Sequence, residues 1–259
     1  MLLSAQPPQI PLPFGAACVP ADTTVISNTS LIGIITGAAS RPDGFPPLCF
    51  ADPLAGGVAP RGVDFNGILN ELSAAMWWEQ AGGQYPYSAA YSTAIGGYPL
   101  NAVVGRTDGT GWWQNTVDGN TSDPETFGGG WFPCGGGPAP LALSGLAATN
   151  KTLTALQAAT QTIVLTGTLT ANITLTLPVW VGMQWVFINN CTGAFTVTLS
   201  TGSGPMVVVP QAAGPLPVYG RASGLSLAAA STAWAVGLPT SLPATAGVVW
   251  NNGGTVSIS

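Results

Sequence analysis

Apolar residues alternate with polar ones along much of the C-terminal half of the chain. After Thr152, short runs place aliphatic or aromatic residues at every second position, and Gly, Asn or Pro separates the runs. Successive side chains of a strand point to opposite faces, so this alternation predicts short strands with one buried face. We therefore expect an antiparallel β-sandwich or small barrel over 151–236. The alternating sets are Ile163/Leu165, Ile173/Leu175/Leu177, Trp185/Phe187, Phe195/Val197/Leu199 and Val207/Val209.

One segment of the N-terminal half has the spacing of an amphipathic helix. Apolar residues recur every three or four positions after Asp64, a residue type that caps helices, and Gly82-Gly83 follows the last of them. The pattern predicts a helix over 64–81. Its large apolar side chains are candidates for packing or for contacts in a trimer. These candidates are Phe65, Leu69, Leu72, Met76, Trp77 and Trp78.

Two aromatic segments, 111–116 and 130–133, flank a turn-rich stretch at 118–124. This order predicts a hairpin with aromatic strands. Indole rings can stack on sugars, and the same residues on a hairpin also form core or subunit contacts. The candidates for glycan contact are therefore Trp112, Trp113 and Trp131.

Glycine and proline positions divide the chain into five segments. Residues 1–20 form a proline-rich N-terminal arm, whose backbone is extended and needs another surface to fix it. Residues 21–133 form an α+β region that contains strands over 23–36, the helix and the aromatic hairpin. A Gly/Pro linker over 134–150 precedes the β-domain. A C-terminal hairpin over 237–259 completes a mainly β fold.

Ionic side chains are scarce, at 6% of the residues, where about a quarter is usual. With a mean hydropathy of +0.38, a monomer would have few charges to keep it dissolved, which favours burial of its surface by sister subunits. A surface of Thr, Ser, Asn and Gln is the alternative. A net charge of −5 without basic clusters argues against binding to nucleic acid or to anionic membranes.

No apolar run reaches the roughly 20 residues of a membrane span, and the N-terminus lacks the features of a signal peptide. We expect no membrane insertion and release into the cytoplasm. In that compartment the cysteines should be buried, unpaired thiols, whereas a secreted chain would form disulfides. They are Cys18, Cys49, Cys134 and Cys191.

The chain has no histidine, which excludes Ser-His-Asp and Cys-His relays. A carboxylate pair that hydrolyses glycans is the remaining enzymatic alternative. The stretch from Asp118 departs from a calcium loop at Asp123 and Gly129. With no recognisable acid–base pair, we expect no enzyme, no metal and no cofactor. The acids available for catalysis are Glu71, Glu79, Asp118, Asp123 and Glu125.

Several long motifs carry a family resemblance. They are Ile10-Pro11-Leu12-Pro13-Phe14, Asp43-Gly44-Phe45-Pro46-Pro47-Leu48, Ala55-Gly56-Gly57-Val58-Ala59-Pro60 running into Asp64-Phe65-Asn66-Gly67-Ile68-Leu69, Ala81-Gly82-Gly83, Ala94-Ile95-Gly96-Gly97-Tyr98-Pro99 and Asp118-Gly119-Asn120-Thr121-Ser122-Asp123-Pro124. With these motifs, and with its later stretches 163–199 and 238–254, the chain resembles the tail-fibre proteins of tailed bacteriophages.

This resemblance implies a homotrimeric fibre in the virion tail, assembled in the host bacterial cytoplasm and attached through its N-terminal region. It implies a tail adaptor, nozzle or baseplate protein as partner, and a host glycan or outer-membrane receptor. The chain lacks a long repetitive shaft, which leaves open a receptor-binding tip, a basal segment, or a neck or head appendage. Candidate docking residues are Ile10, Pro11, Leu12, Pro13 and Phe14.

Overall fold

Strands carry most of the regular structure, which confirms the prediction of a mainly β chain. The structure, a computed structural model, describes residues 8–136, 139–227, 241–252 and 255–259. Two compact units divide the chain between Gln84 and Tyr85. That division falls inside the range 21–133, which the sequence presents as one region.

In the N-terminal unit, the described residues 8–84 contain helix α1, Gly62–Gln80, and three single-turn 3-10 helices. Helix α1 begins two residues before the predicted position 64 and ends one before 81. The assignment of Asp64 as its cap is wrong, because Arg61 occupies that position and Asp64 is buried within the first turn. The 3-10 helices are Pro20–Asp22, Pro47–Phe50 and Pro53–Ala55.

The N-terminal unit has a small core. Among residues 8–84, the buried apolar side chains are Ile26, Ala38, Ala39 and Pro46. The strands predicted over 23–36 are absent: this range holds turns and one bridge, Ser27 to Ser40. Strand propensity reflects packing against neighbouring strands, and this unit provides no sheet for the segment to join.

The second unit begins with helix α2, Ala89–Ile95, and a three-stranded antiparallel sheet. Its strands are β1, Val103–Gly105, β2, Trp112–Asn115, and β3, Trp131–Cys134, in that order across the sheet. Strands β2 and β3 are the two arms of the predicted aromatic hairpin, with Trp113 opposite Pro133.

A two-sheet domain follows, with a short helix α3 at Ala155–Ala158. One sheet has the order β12-β11-β8-β6-β4 and the other β10-β9-β7-β5. The strands are β4 (Leu141–Leu143), β5 (Lys151–Thr152), β6 (Thr162–Leu165), β7 (Ile173–Thr176), β8 (Gln184–Asn189), β9 (Val197–Ser200), β10 (Val207–Val209), β11 (Leu216–Arg221) and β12 (Gly224–Leu227).

Strands β4 to β9 alternate between these two sheets, so the chain coils around one shared core. Within each sheet, successive strands pair in parallel: Leu141 lies beside Ile163, and Ile163 beside Phe187. Asparagine side chains link the coils, because Asn150 Oδ1 accepts a hydrogen bond from Thr174 N at 2.8 Å and Asn172 Oδ1 accepts one from Thr196 N at 2.9 Å.

The prediction of an antiparallel domain over 151–236 is therefore wrong in strand direction. Among the strands of the domain, which are described up to Leu227, only the last ones pair antiparallel: β10 with β9, β11 with β8, and β12 with β11. Alternating residues report that one face of a strand is buried, and this pattern is the same for parallel and antiparallel neighbours. Parallel neighbours need a long crossover connection. Here the chain provides it by forming a strand of the other sheet between each two strands that pair in parallel.

The segment predicted as a linker, 134–150, contains strand β4, so only part of it is irregular. The predicted C-terminal hairpin is present as strands β13, Val249–Asn252, and β14, Thr255–Ile258, which pair antiparallel. Its turn, together with 237–240 and the last residues of the range 151–236, lies outside the described residues. None of the helices in the described part of the chain combines the length and hydropathy of a transmembrane segment.

Candidate functional site

Four large apolar side chains form a line along helix α1, which we call the apolar stripe. Phe65, Leu69, Leu72 and Met76 follow one another at intervals of four, three and four residues, the spacing of core positions a and d in a coiled coil. Their exposed fractions are 46%, 42%, 59% and 50%. Half of each side chain therefore remains open to solvent in the isolated chain.

The face of helix α1 beside the apolar stripe holds the N-terminal arm, because its polar side chains form hydrogen bonds with the arm backbone. The arm runs antiparallel to the helix, so its early residues lie near the helix end. Asn66 Nδ2 donates to Asp22 O, just after the arm, Asn70 Nδ2 donates to Phe14 O, Phe14 N donates to Ser73 Oγ and Ile10 N donates to Gln80 Oε1, each at 2.7 Å.

The candidate docking residues 10–14 thus lie beside the C-terminal half of helix α1. Their side chains remain largely free, with Leu12 68% exposed and Phe14 50% exposed. Pro11 and Pro13 have no N–H to bond, and the two arm residues whose N–H groups bond to the helix, Ile10 and Phe14, flank them. The predicted extended arm is interrupted by bends at 11–12 and by turns over 14–17, so the arm is not extended along its whole length.

A loop covers the helix on the other side of the apolar stripe. The Arg41 guanidinium contacts both carboxylate oxygens of Glu71, at 2.7 and 2.8 Å. The rings of Phe45 and Phe65 lie with their centroids 4.7 Å apart. The Phe45 ring thus covers part of Phe65, and the rest of the apolar stripe stays open between the arm and this loop.

Trp77 and Trp78, also predicted as anchors, lie outside the apolar stripe. Trp77 lines a cavity of about 380 Å³ together with Ile10, Pro11 and Gln80. Trp78 packs on Gly83, where an added Cβ would lie 2.1 Å from the indole. Both tryptophans are nearly half exposed, so they contribute to local packing around the helix end without being enclosed by it.

The three candidate glycan contacts have different surroundings. Trp113 is fully buried and Trp131 is 4% exposed, and both belong to a core cluster with Tyr98 and Val104. Trp131 Nε1 donates to Ser122 O at 2.7 Å. Their ring faces are closed to a sugar, so the prediction is wrong for these two. Trp112 is 45% exposed.

A buried cation lies against the hairpin core. Arg106 is 4% exposed, and its guanidinium carbon is 5.2 Å from the centroid of the Trp113 ring. Arg106 Nη2 donates to Gly135 O and Ala159 O at 3.0 and 3.2 Å. Burial lowers the pKa of Arg106 below its usual value. These bonds tie the end of the aromatic hairpin to helix α3.

The carboxylates considered for catalysis hold the backbone and neighbouring side chains in place. Glu71 pairs with Arg41, and Glu125 accepts hydrogen bonds from Thr107 N and Oγ1 at 2.9 and 2.7 Å. Asp118 accepts one from Leu100 N, and Asp123 caps the turn that contains Glu125. In the described residues, no group of three or more Cys, Asp or Glu side chains is placed to hold a metal ion.

All four cysteines are free thiols in this structure, and Cys191 is buried while the others are half-buried. Burial raises the pKa of the Cys134 and Cys191 thiols. A raised pKa keeps a thiol protonated and therefore poorly nucleophilic. The thiols of Cys134 and Cys191 thus behave as packing groups.

An aromatic groove of about 550 Å³ in the second unit has Trp131, a predicted glycan contact, among its lining residues, although the sequence did not predict the groove itself. Phe127 and Trp180 are among its lining residues, with ring centroids 6.4 Å apart. Phe127 has a positive φ of 61°, a strained conformation for a bulky residue. Its side chain is 42% exposed. Of its aromatic lining residues, Trp131 was the one that the sequence marked, and Phe127 and Trp180 were not predicted.

Comparison with protein-family models and with curated proteins produces no match to this chain.

Proposed function

We propose that this chain is a structural subunit of a bacteriophage tail fibre, that it works as a homotrimer, and that it supports attachment of the virion to the host surface. The resemblance of its motifs to tail-fibre proteins supports this function, as does the scarcity of ionic side chains. A tail protein that receives the N-terminal unit is the partner that this proposal requires. The proposed role involves no catalysis.

The apolar stripe is the observation that carries the proposal. The N-terminal unit buries few apolar side chains of its own and exposes four large ones along a single line. Full burial of such a side chain is worth about 1.5–3 kcal/mol, so covering four half-exposed ones contributes roughly 3–6 kcal/mol per chain. A unit with so small a core gains much of its stability from association.

The residues beside the apolar stripe favour three parallel copies. Ile68 and Ala75 precede stripe residues at position g, and they widen the apolar surface so that it can face two neighbours. Asn66 and Ser73 follow stripe residues at position e, and Gln80, at the next position e, follows Glu79. Positions e and g carry no charge between Phe65 and Met76, so parallel copies meet without like-charge repulsion along the stripe, and in a closed three-fold ring every copy makes the same contacts. Glu79, at the next position d, lies beyond the stripe at the end of the helix.

Light scattering coupled to size exclusion tests the trimer on the full chain. The expected mass is three times the 26.1 kDa of one chain. Leu72→Asp places three carboxylates around the three-fold axis and should yield monomers at micromolar concentration. Leu54, 98% exposed and away from the stripe, provides the matched control, and Leu54→Asp should remain trimeric. A monomeric native chain would overturn the proposal.

Electron microscopy of virions labelled with antibodies against the chain tests its location. Label on the tail is expected. Label confined to the neck or head would favour an appendage protein in place of a tail fibre. Absence of label from purified particles, with the chain still detected in infected cells, would remove the virion role.

Glycan recognition is a second candidate function, favoured by the aromatic groove of Phe127 and Trp180. Aromatic faces beside the hydroxyls of Thr116 and Thr152 suit the mixed apolar and polar surface of a sugar. A glycan array with the native chain and Phe127→Ala tests it. Binding that Phe127→Ala abolishes and Phe50→Ala retains supports this function, and no binding by the native chain removes it.

A further inference from the structure

We propose that the N-terminal arm is a strap between subunits: it is bonded to its own helix α1 and packs its exposed side chains on helix α1 of the adjacent copy. The partner is a second copy of this chain. The inference rests on the proposed homotrimer and adds a contact that the apolar stripe does not include. It also assigns the arm to a sister chain rather than to a tail protein.

The first step is that the arm is fixed to the helix while two of its large apolar side chains stay open. The bonds of Ile10 and Phe14 to the helix use backbone atoms, and the Gln9 side chain adds a bond to Gln80 O. Leu12 and Phe14 remain 68% and 50% exposed. Because the segment is already fixed, these two side chains can cover a further apolar element at little cost in chain entropy.

The second step is the position of the arm on the helix. Three of the four side chains that bond to the arm or to Asp22 occupy position e of the heptad: Asn66, Ser73 and Gln80, of which the first two directly follow stripe residues. In a parallel bundle with the stripe at its axis, position e borders the groove to the next helix and faces its position g. The arm therefore lies along the groove between copies.

The third step is what the adjacent copy presents on the other side of that groove. Its position g residues are Ile68 and Ala75, both apolar and half-buried. Ile68 lines a cavity with Ala39 and Arg41 of the covering loop in its own chain, so Ala75 is the position g residue that the strap is proposed to contact. Leu12 lies between Ile10, bonded to Gln80, and Phe14, bonded to Ser73, so its level along the helix is near that of Ala75. In copies that are parallel and in register, Leu12 meets Ala75 of the adjacent copy.

A disulfide between these positions tests the strap. The chain carries Leu12→Cys and Ala75→Cys, with Cys18, Cys49, Cys134 and Cys191 replaced by alanine. Within one chain, Leu12 lies on the position e flank of its own helix and Ala75 on the position g flank, so the body of the helix separates the two positions, whereas a disulfide needs two Cβ atoms that face each other. Mild oxidation should give covalent dimers and trimers on a denaturing gel without reductant.

Leu12→Cys with Ala74→Cys is the matched control, since Ala74 faces away from the apolar stripe, and it should give no covalent oligomers. Light scattering on the same cysteine-free background separates the two proposals. A trimer that forms no covalent oligomers from the Leu12/Ala75 pair would overturn the strap and leave the trimer intact. A monomer would overturn both. Circular dichroism of each variant checks that it retains the native fold.

Discussion

The Asp64 carboxylate accepts a hydrogen bond from Ala39 N at 2.8 Å and is 1% exposed. This bond fixes the segment before Ser40 to the first turn of helix α1, with Arg61 3.9 Å from the same carboxylate. It joins residues 25 positions apart. The small core of the N-terminal unit thus depends on a polar contact as much as on apolar packing.

Asp64→Ala should destabilise the N-terminal unit by about 1–3 kcal/mol, because it leaves the buried Ala39 N–H without its acceptor. Asp64→Asn retains an acceptor oxygen and should cost less. Urea unfolding, followed by the fluorescence of Trp77 and Trp78, measures the difference. Equal stability of the alanine variant and the native chain would contradict this role for Asp64.

Gly67→Ala should destabilise the same unit, although alanine is the better helix former by about 1 kcal/mol. A Cβ at Gly67 would lie 2.0 Å from Thr24 O, so the segment after the arm must move away. Gly62, also in helix α1, has open space where its Cβ would lie. Gly62→Ala should leave stability unchanged or slightly raised, and thermal melts of the two variants provide the comparison.

The turn at 40–44 should loosen in acid. Hydrogen bonds from Ser30 and Ser40 lower the pKa of Asp43, so the ionised carboxylate is the form that the folded turn favours. Its contribution is present above the unfolded value of 3.8 and is lost as the pH falls through the lowered folded pKa. Amide exchange at Asp43 and Gly44 should accelerate in this range, whereas Asp43→Asn should show no such pH dependence.

Lys151→Val should increase aggregation. Lys151 is the chain's single lysine, and it lies on β5, the edge strand of the four-stranded sheet. A charge on an edge strand prevents pairing with the edge of another molecule. Turbidity against protein concentration measures the effect, and Lys151→Arg, which retains the charge, should behave as the native chain does. No difference between valine and arginine variants would refute this role.

Trp113→Ala should lower the free energy of unfolding of the second unit much more than Trp112→Ala does. Trp113 is fully buried, so its truncation should cost about 3–5 kcal/mol. Trp112 is 45% exposed, and Trp112→Ala should change stability by much less. Chemical denaturation of the second unit measures both. A large loss of stability at Trp112 would indicate that its exposed face is covered in the assembled protein.

Periodicity predicted helix α1 to within two residues at each end, because apolar spacing and the Gly82-Gly83 stop are local signals. The same local reasoning misassigned Asp64, whose partner Ala39 comes from a distant part of the chain. For the hairpin, the pattern located both strands but did not tell buried Trp113 from exposed Trp112. Adjacent residues of a strand face opposite ways, and only the packed sheet decides which face is covered.

The candidate site, too, was predictable from the sequence only in part. The heptad spacing of Phe65, Leu69, Leu72 and Met76 is present in the sequence, and it marked these residues as anchors. Their exposure became visible only when the arm and the 39–45 loop were found to cover the two flanking faces of the helix. The polar side chains that hold the arm, such as Asn70 and Ser73, carried no recognisable sequence signal, because their partners are backbone atoms.

By itself the sequence determined helix α1, the aromatic hairpin and the alternating strands after Thr152, where glycine and proline interrupt them, and how few charged residues the chain carries. Those properties arise from sterics and polarity over a few neighbouring residues. The tertiary structure alone decided that strands β4 to β9 pair in parallel and that the apolar stripe stays uncovered. Both outcomes depend on which distant segments of the chain come into contact. The same apolar and polar residues are compatible with several such contacts, so the sequence pattern does not choose between them.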